Sequence, residues 1–267
     1  MSGERHVVPG SLARMLRALA GGAIFGEVWG PAPPLVLALH GWARTHADFA
    51  AALGPGAAGG PVAVVAPDLP GFGASPPPPQ AWGSVEYAGA VAQVLDASVG
   101  PSSPVVVVGH SLGGRIAVRL AVARPDLVRG LVLTGAPLLA RAGGRPRPDW
   151  RFRVVRAMRR GHLVSEARLE RARQRYGSAD YRRAQGVMRG VLVRMVGERY
   201  EDALASLTCP VTLVWGDDDP AAPLEVAHRL ARLVPHATLQ VVPGAGHLLP
   251  VTAPAALRAA VDAMLAA

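Results

Sequence analysis

The sequence has no lysine; all 28 of its basic residues are arginine. It has one cysteine, Cys209, which excludes an intrachain disulfide framework and a zinc site built from several cysteines. Aromatic residues are only 5% and charged residues 18% of the chain, yet half of it is hydrophobic, so global disorder is excluded. No apolar run approaches the roughly 18 residues that a membrane-spanning helix needs, so no partner membrane is expected. The 267 residues suit one large domain, or one domain with an insertion, and can bury a core without staples.

The missing lysine, with 31 glycines and 25 prolines, has the bias of a GC-rich genome, so part of the formal charge of +9 reflects codon usage. Its distribution says more. Residues 141–200 hold 17 arginines against five acids (Asp149, Glu166, Glu170, Asp180 and Glu198), a local balance of +12, while the rest of the chain sums to −3. Near the N-terminus, Arg14 and Arg17 precede a short apolar stretch with the flavour of a targeting signal. That stretch is broken by glycine and followed by Glu27, so residues 22–28 are read as a strand and a cytoplasmic enzyme is the expectation.

Short β-branched or apolar runs recur, each ending in turn residues: Leu35–Leu39, Val62–Ala66, Val105–Val108, Leu131–Thr134, Val211–Trp215 and Thr238–Val242. Unbroken runs of this kind suit strands covered on both faces, as in a parallel sheet. Helical patterns lie between them, at about 46–54, 84–98, 112–123, 223–234 and 254–265, and this alternation predicts an α/β fold. Gly71 to Pro79, with four prolines in a row, reads as a stiff extended loop. Residues 137–206 break the alternation. Trp150, Val154, Val155 and Met158 fall at helical spacing, as do Val187, Val191, Leu192 and Met195, so a helical insertion is expected there. The core is then 1–136 with 207–267, and the insertion is the arginine-rich segment. No internal repeat is visible.

The strongest chemical signal is Gly109-His110-Ser111-Leu112-Gly113, followed by Gly114, set between a valine strand and a helix. A serine at the tip of so tight a turn has a strained backbone, and its neighbours two residues away must be small. The turn lifts the Ser111 hydroxyl above the amino end of a helix, whose dipole favours negative charge. A serine hydroxyl is a weak nucleophile near neutral pH and needs a base. Of eight histidines, His247 is preferred, because Pro243-Gly244-Ala245-Gly246 directly follows the last strand and lets a loop bend the imidazole over the sheet edge. His40 and His110 sit beside turns and are expected to support the site; His6, His46, His162, His228 and His236 are assigned to surface or packing. The histidine needs an acid to fix its tautomer. Trp215-Gly216-Asp217-Asp218-Asp219-Pro220 offers three, with Asp219 preferred and Asp217 and Asp218 as alternatives expected to be exposed turn residues. Donors for an oxyanion are expected from the backbone N–H of Leu112 and of Trp42, the latter in Leu39-His40-Gly41-Trp42. The Trp42 ring either walls the pocket or simply packs.

With these segments the chain resembles the α/β-hydrolase superfamily, in its serine-nucleophile branch with a helical cap. The resemblance rests on Leu35 to Trp42, Pro67-Asp68-Leu69-Pro70-Gly71-Phe72-Gly73-Ala74-Ser75, Gly109 to Gly114, Trp215 to Pro220 and Gly244 to His247, in the family's order and across nearly the whole chain. It implies a mostly parallel eight-stranded sheet flanked by helices, with a cap inserted after strand six, and it aligns Asp219 with the aspartate of the W-G-x-x-D pattern. It implies acyl transfer to water with no metal or organic cofactor: esterases, thioesterases, C–C bond hydrolases and others share such a serine. The substrate expected is a small molecule, and the basic insertion favours an anionic one. The alternatives are a C–C bond hydrolase of the meta-cleavage type and an idle hydrolase fold that only binds ligand. Nucleic acid is not expected, because no recognition motif accompanies the arginines. Substrate and oligomeric state are not specified by the sequence.

Overall fold

A computed structural model of the chain describes residues 16–98, 103–140 and 179–267, with isolated positions between 141 and 178. Eight strands form one sheet: β1 (Arg17–Leu19), β2 (Ile24–Trp29), β3 (Val36–Leu39), β4 (Val64–Asp68), β5 (Val105–His110), β6 (Val128–Thr134), β7 (Val211–Gly216) and β8 (Ala237–Val242). Their order across the sheet is β1-β2-β4-β3-β5-β6-β7-β8. The pairings of β1 with β2 and of β2 with β4 are antiparallel, and every pairing from β4 through β3 to β8 is parallel.

The valines of β5 show why this sheet has two covered faces. Val105 and Val107 pack in one hydrophobic cluster, Val106 and Val108 in the other, and all four are buried. The period-2 alternation of a strand sends successive side chains to opposite faces, so an unbroken apolar run is the pattern that two covers require. Helices α2 (Ser84–Ser98) and α3 (Leu112–Ala123) cover the first face with Val91, Leu95, Ile116 and Leu120, while α1 (Ala50–Leu53) belongs to the second.

Between β6 and β7 the structure describes α4 (Ala179–Arg183), α5 (Gly186–Gly197) and α6 (Glu201–Ala205) in full. Val191 and Met195, four apart on one face of α5, are its buried residues. The junction is polar as well. Glu198 accepts the Ser84 N–H at 3.0 Å, a carboxylate placed at the first turn of α2, and also accepts the Tyr200 hydroxyl at 2.6 Å. Arg115 of α3 donates to the carbonyls of Met195 at 2.6 Å and Pro137 at 3.0 Å. The Trp150, Val154 and Val155 pattern expected in the insertion lies outside the described residues, as does most of 141–178. After β7 come α7 (Leu224–Leu233), then α8 (Leu249–Thr252) and α9 (Pro254–Ala266) beyond β8.

Four local features differ from the sequence reading. Strand β1 carries no sequence signal, because it is three residues long on the sheet edge with two of them exposed. The stretch expected as one helix from 46 to 54 is a 3-10 turn at His46–Phe49 leading into the single turn of α1. The glycine-rich half of the loop after β4 is compact, not extended. Phe72 N–H donates to Leu69 O at 2.9 Å, Ser75 N–H to Phe72 O at 3.0 Å, and Gly71 N–H to Pro76 O at 2.9 Å. Strand β4 also runs through Pro67 to Asp68, beyond the expected end at Ala66. Its pairing with β3 stops at Val65, so the missing proline N–H breaks no ladder there, and β2 alone continues the pairing.

Candidate active site

Ser111 stands between β5 and α3 with φ 52° and ψ −108°. A positive φ is a strained state for a residue with a Cβ, and it persists where the surroundings impose it. Here its N–H is taken by Thr134 O of β6 at 2.9 Å, and its carbonyl accepts from Gly114 N–H at 3.2 Å. The flanking glycines make the turn possible. A Cβ on Gly113 would sit 2.0 Å from Leu39 O, and one on Gly109 would sit 2.6 Å from the Gly114 Cα. Both positions are backbone-to-backbone contacts that no larger residue allows.

The sheet then brings three distant side chains together. His247 Nε2 is 3.1 Å from Ser111 Oγ, and its Nδ1 is 2.8 Å from Asp219 Oδ2. A carboxylate only accepts, so Nδ1 carries the proton it donates to Asp219. In the neutral ring this leaves Nε2 as the acceptor for the serine O–H. Asp219 is 5% exposed, and its Oδ1 accepts the N–H groups of Ala221 and Ala222, both at 2.8 Å, which holds Oδ2 toward the imidazole. Trp215 explains the tryptophan of its motif: buried, it donates its indole N–H to Ala222 O at 2.7 Å and braces the acid loop from beneath. Asp217 and Asp218 are exposed, and Asp217 accepts the Gly244 N–H at 2.7 Å, which ties the acid loop to the histidine loop.

The loop after β3 lies against the elbow. Gly113 N–H donates to His40 O at 3.0 Å, and a Cβ on Gly41 would be 3.4 Å from the Ser111 Cβ. Among the described residues no protein acceptor takes the N–H of Trp42 or of Leu112. The Trp42 ring is partly buried and meets Phe72 edge-on, with centroids 5.0 Å apart. His40 is fully buried; its Nδ1–H donates to Gly41 O at 2.8 Å and its Nε2 accepts the Leu69 N–H at 2.9 Å. Burial pushes its pKa down to about 4, so it is a neutral brace. His110 is likewise pushed down, by burial and then by the neighbouring His247, to about 3; its Nδ1 faces Thr134 O at 3.2 Å.

Sequence reasoning placed His46 at the surface or in packing. The structure instead sets its ring between the carboxylates of Asp68 and Glu27, at 2.8 and 3.5 Å. The signal that could have found it is a pair of acids, Glu27 inside and Asp68 at the end of strands that are otherwise apolar. A cavity of about 910 Å³ lies between Pro137–Ala140, the end of α5 and Pro220–Ala222; Ser111 and His247 are not among the residues that line it. Among the described residues no group of three histidines, cysteines or acids is placed to hold a metal ion. None of the described helices is long and apolar enough to cross a membrane.

An open, mostly parallel sheet whose fifth strand delivers a serine into reach of an imidazole is the build of an α/β-fold hydrolase. The sequence model of the alpha/beta hydrolase family matches residues 35–260, and the chain belongs to that family. It is 32% identical over 240 residues to a pimeloyl-[acyl-carrier protein] methyl ester esterase of Chromobacterium violaceum, an alignment covering 84% of this chain and 91% of that protein. Among solved structures it is similar to a thermophilic esterase from Thermogutta terrifontis, with TM-score 0.65 and 26% identity over 95% of this chain and 98% of the other. The thioesterase domain from the curacin biosynthetic pathway gives TM-score 0.66 and 25% identity, over 95% of this chain and all of the other.

Proposed function

We propose that the protein hydrolyses a carboxylic ester of a small, anionic molecule through an acyl-enzyme on Ser111. The observation that carries this reading is the position of His247, with one ring nitrogen on Ser111 Oγ at 3.1 Å and the other on Asp219 at 2.8 Å. As Ser111 attacks the carbonyl carbon, its proton passes to His247 Nε2, and Asp219 stabilises the imidazolium. The N–H groups of Trp42 and Leu112 receive the oxyanion. His247 then protonates the departing alkoxide. It next takes a proton from water, which attacks the acyl-enzyme, and returns that proton to Ser111 as the acid leaves. A preformed donor at an oxyanion site is worth about 10²–10³ in rate.

The ester is supported by the methyl ester esterase relative at 32% identity and by the esterase of known structure, while the thioesterase neighbour keeps the same acyl-enzyme chemistry. The arginine excess that the sequence carries in residues 141–200 supports an anionic acid portion, because a strongly basic segment attracts anions from solution. A fold that only bound ligand would have no use for a base aligned on a strained serine.

The test is a pair of matched esters, one bearing a remote carboxylate, assayed at low and high salt with the wild type and Ser111→Ala. A fluorophosphonate should label Ser111 alone, and Ser111→Ala should lower kcat on the order of 10⁶-fold, as where a triad acts as a unit. The anionic ester should have the higher kcat/KM at low salt, and that advantage should shrink as the screening length falls to about 8 Å. Undiminished activity of Ser111→Ala overturns the serine mechanism, and equal salt responses overturn the anionic substrate. Activity on a vinylogous diketone acid with neither ester cleaved would move the reading to C–C bond hydrolysis.

A further inference from the structure

Two adjacent residues at the end of β4 hold both ends of the loop that carries Trp42. At the near end Leu69 N–H donates to His40 Nε2 at 2.9 Å. At the far end Asp68 Oδ1 accepts the backbone N–H of His46 at 3.0 Å and its ring Nδ1–H at 2.8 Å. The other ring nitrogen of His46 lies 3.5 Å from Glu27 Oε1 of β2, while Glu27 Oε2 accepts the Trp29 indole N–H at 2.6 Å. Asp68 is 1% and Glu27 5% exposed. Among the described residues neither has an arginine partner; Arg44, two residues before His46, pairs with Asp48. Between the two fastened ends, Ala43 is held at φ 54°, a left-handed conformation that a non-glycine residue keeps only under constraint.

We propose that His46, as an imidazolium between Glu27 and Asp68, is a positioning residue that clasps this loop and so holds the Trp42 N–H where the oxyanion forms. The inference rests on the hydrolase reading above. Two buried carboxylates within reach of one imidazole are costly unless a cation joins them, and the ring supplies an N–H to each. The hydrogen bond to Asp68 raises the pKa of His46 against the opposing effect of burial, with help from the charges of Asp68 and Glu27. Burial acts to raise the Asp68 carboxyl, but hydrogen bonds from His46 and Ala74 outweigh it and hold it below the ordinary range. The groups facing His46 are Asp68 from β4, Glu27 from β2 and the Arg44–Asp48 pair on its own segment, with the neutral His40 beyond Asp68. As pH rises through the His46 pKa, the ring loses its charge. The two acids then face a neutral group, and Ala43 loses a constraint.

The test is a pH profile of kcat with a neutral ester for the wild type, His46→Gln and Glu27→Gln, beside histidine-ring NMR. The wild type should show an alkaline fall in kcat that follows one proton, at the pH where the ring missing from His46→Gln titrates. His46→Gln keeps a donor for Asp68 but no charge. It should lose about 10- to 100-fold in kcat, part of what an absent oxyanion donor costs. Its KM should stay within about twofold, by the logic that such an interaction exists only in the transition state, and its alkaline fall should be gone. Glu27→Gln removes an anion and should move both the NMR midpoint and the fall to lower pH. An alkaline fall unchanged in His46→Gln, or a loss confined to KM, overturns the clasp. If His46→Gln fails to fold, the Glu27→Gln midpoints decide: a fall that does not move with the ring titration overturns it. The two readings fail separately, since an active Ser111→Ala refutes the hydrolase mechanism, whereas an inactive Ser111→Ala beside a wild-type-like His46→Gln refutes the clasp alone.

Discussion

At positions 217 to 219 three identical side chains differ only in what surrounds them. Asp219 points inward, with one oxygen on two backbone N–H groups and the other on His247. Asp217 and Asp218 point to solvent. Asp219→Asn should lower kcat on the order of 10⁴-fold, because the amide donates where the imidazole needs an acceptor and so favours the wrong tautomer. Asp218→Asn should stay within roughly tenfold, as for other exposed turn positions. Asp217 is the subtler case. Its carboxylate holds the N–H of Gly244, which has φ 68° three residues before His247. Asp217→Asn keeps an acceptor oxygen and should behave like Asp218→Asn, whereas Asp217→Ala leaves that turn unsupported and should lower kcat by roughly the tenfold that about 1.4 kcal/mol represents. Steady-state kinetics on one ester ranks all four, and the reverse ranking of Asp219 and Asp218 would move the acid.

The elbow and its helix are a unit of close backbone contact. Gly113 lets α3 start directly against β3, and a methyl group there would meet Leu39 O at 2.0 Å, an atom the sheet holds in place. Gly113→Ala should therefore destabilise the fold by about 1–3 kcal/mol or more, as overpacking does when backbone must yield. Gly89 is the contrast. It is exposed within α2, and nothing lies within 4 Å of a Cβ built on it. Gly89→Ala should add about 0.5–1 kcal/mol, because alanine loses less backbone freedom in a helix. Urea unfolding of the two variants checks both signs. The element scale also explains where pattern reading stopped. The edge strand β1 and the turn at His46–Phe49 are too short to show a period, so only the partner strand and the packing of Phe49 define them.

Across the whole molecule, buried histidines set the response to acid. His40 and His110 have pKa values of about 4 and about 3 when folded, against 6.5 for a free ring, so the folded state binds fewer protons than the unfolded chain between these limits. Stability contributed by these groups is therefore present above pH 6.5 and is lost as pH falls toward 4 and 3. His46 has the opposite sign: its pKa is raised, so its contribution is present below 6.5 and is lost as pH rises through the folded value. The lowered pKa of Asp68 adds stability above 3.8 that is lost as pH falls. Unfolding midpoints in urea should thus peak near neutrality, fall steeply between pH 6.5 and 4, and fall more gently on the alkaline side. A midpoint that stays flat from pH 7 to 4 would mean that the two rings are not buried neutral.

What the sequence determined by itself was local. Unbroken valine runs dictated strands covered on both faces, glycines two residues either side of Ser111 dictated the elbow, and Asp219 and His247 were placed in loops after strands. Such features are legible because each depends on neighbours within one turn or one pleat. Tertiary structure decided which loops meet. Ser111 and His247 are 136 residues apart and reach 3.1 Å only because the strand order sets β5 three positions from β8 and lines the parallel strands' carboxyl ends along one edge. The clasp at His46 was hidden for the same reason. Its partners come from β2 and β4, which pair antiparallel, with Phe25 opposite Asp68 and Glu27 opposite Ala66. That register carries two acids of separate strands to one imidazole, and no spacing along the chain encodes it.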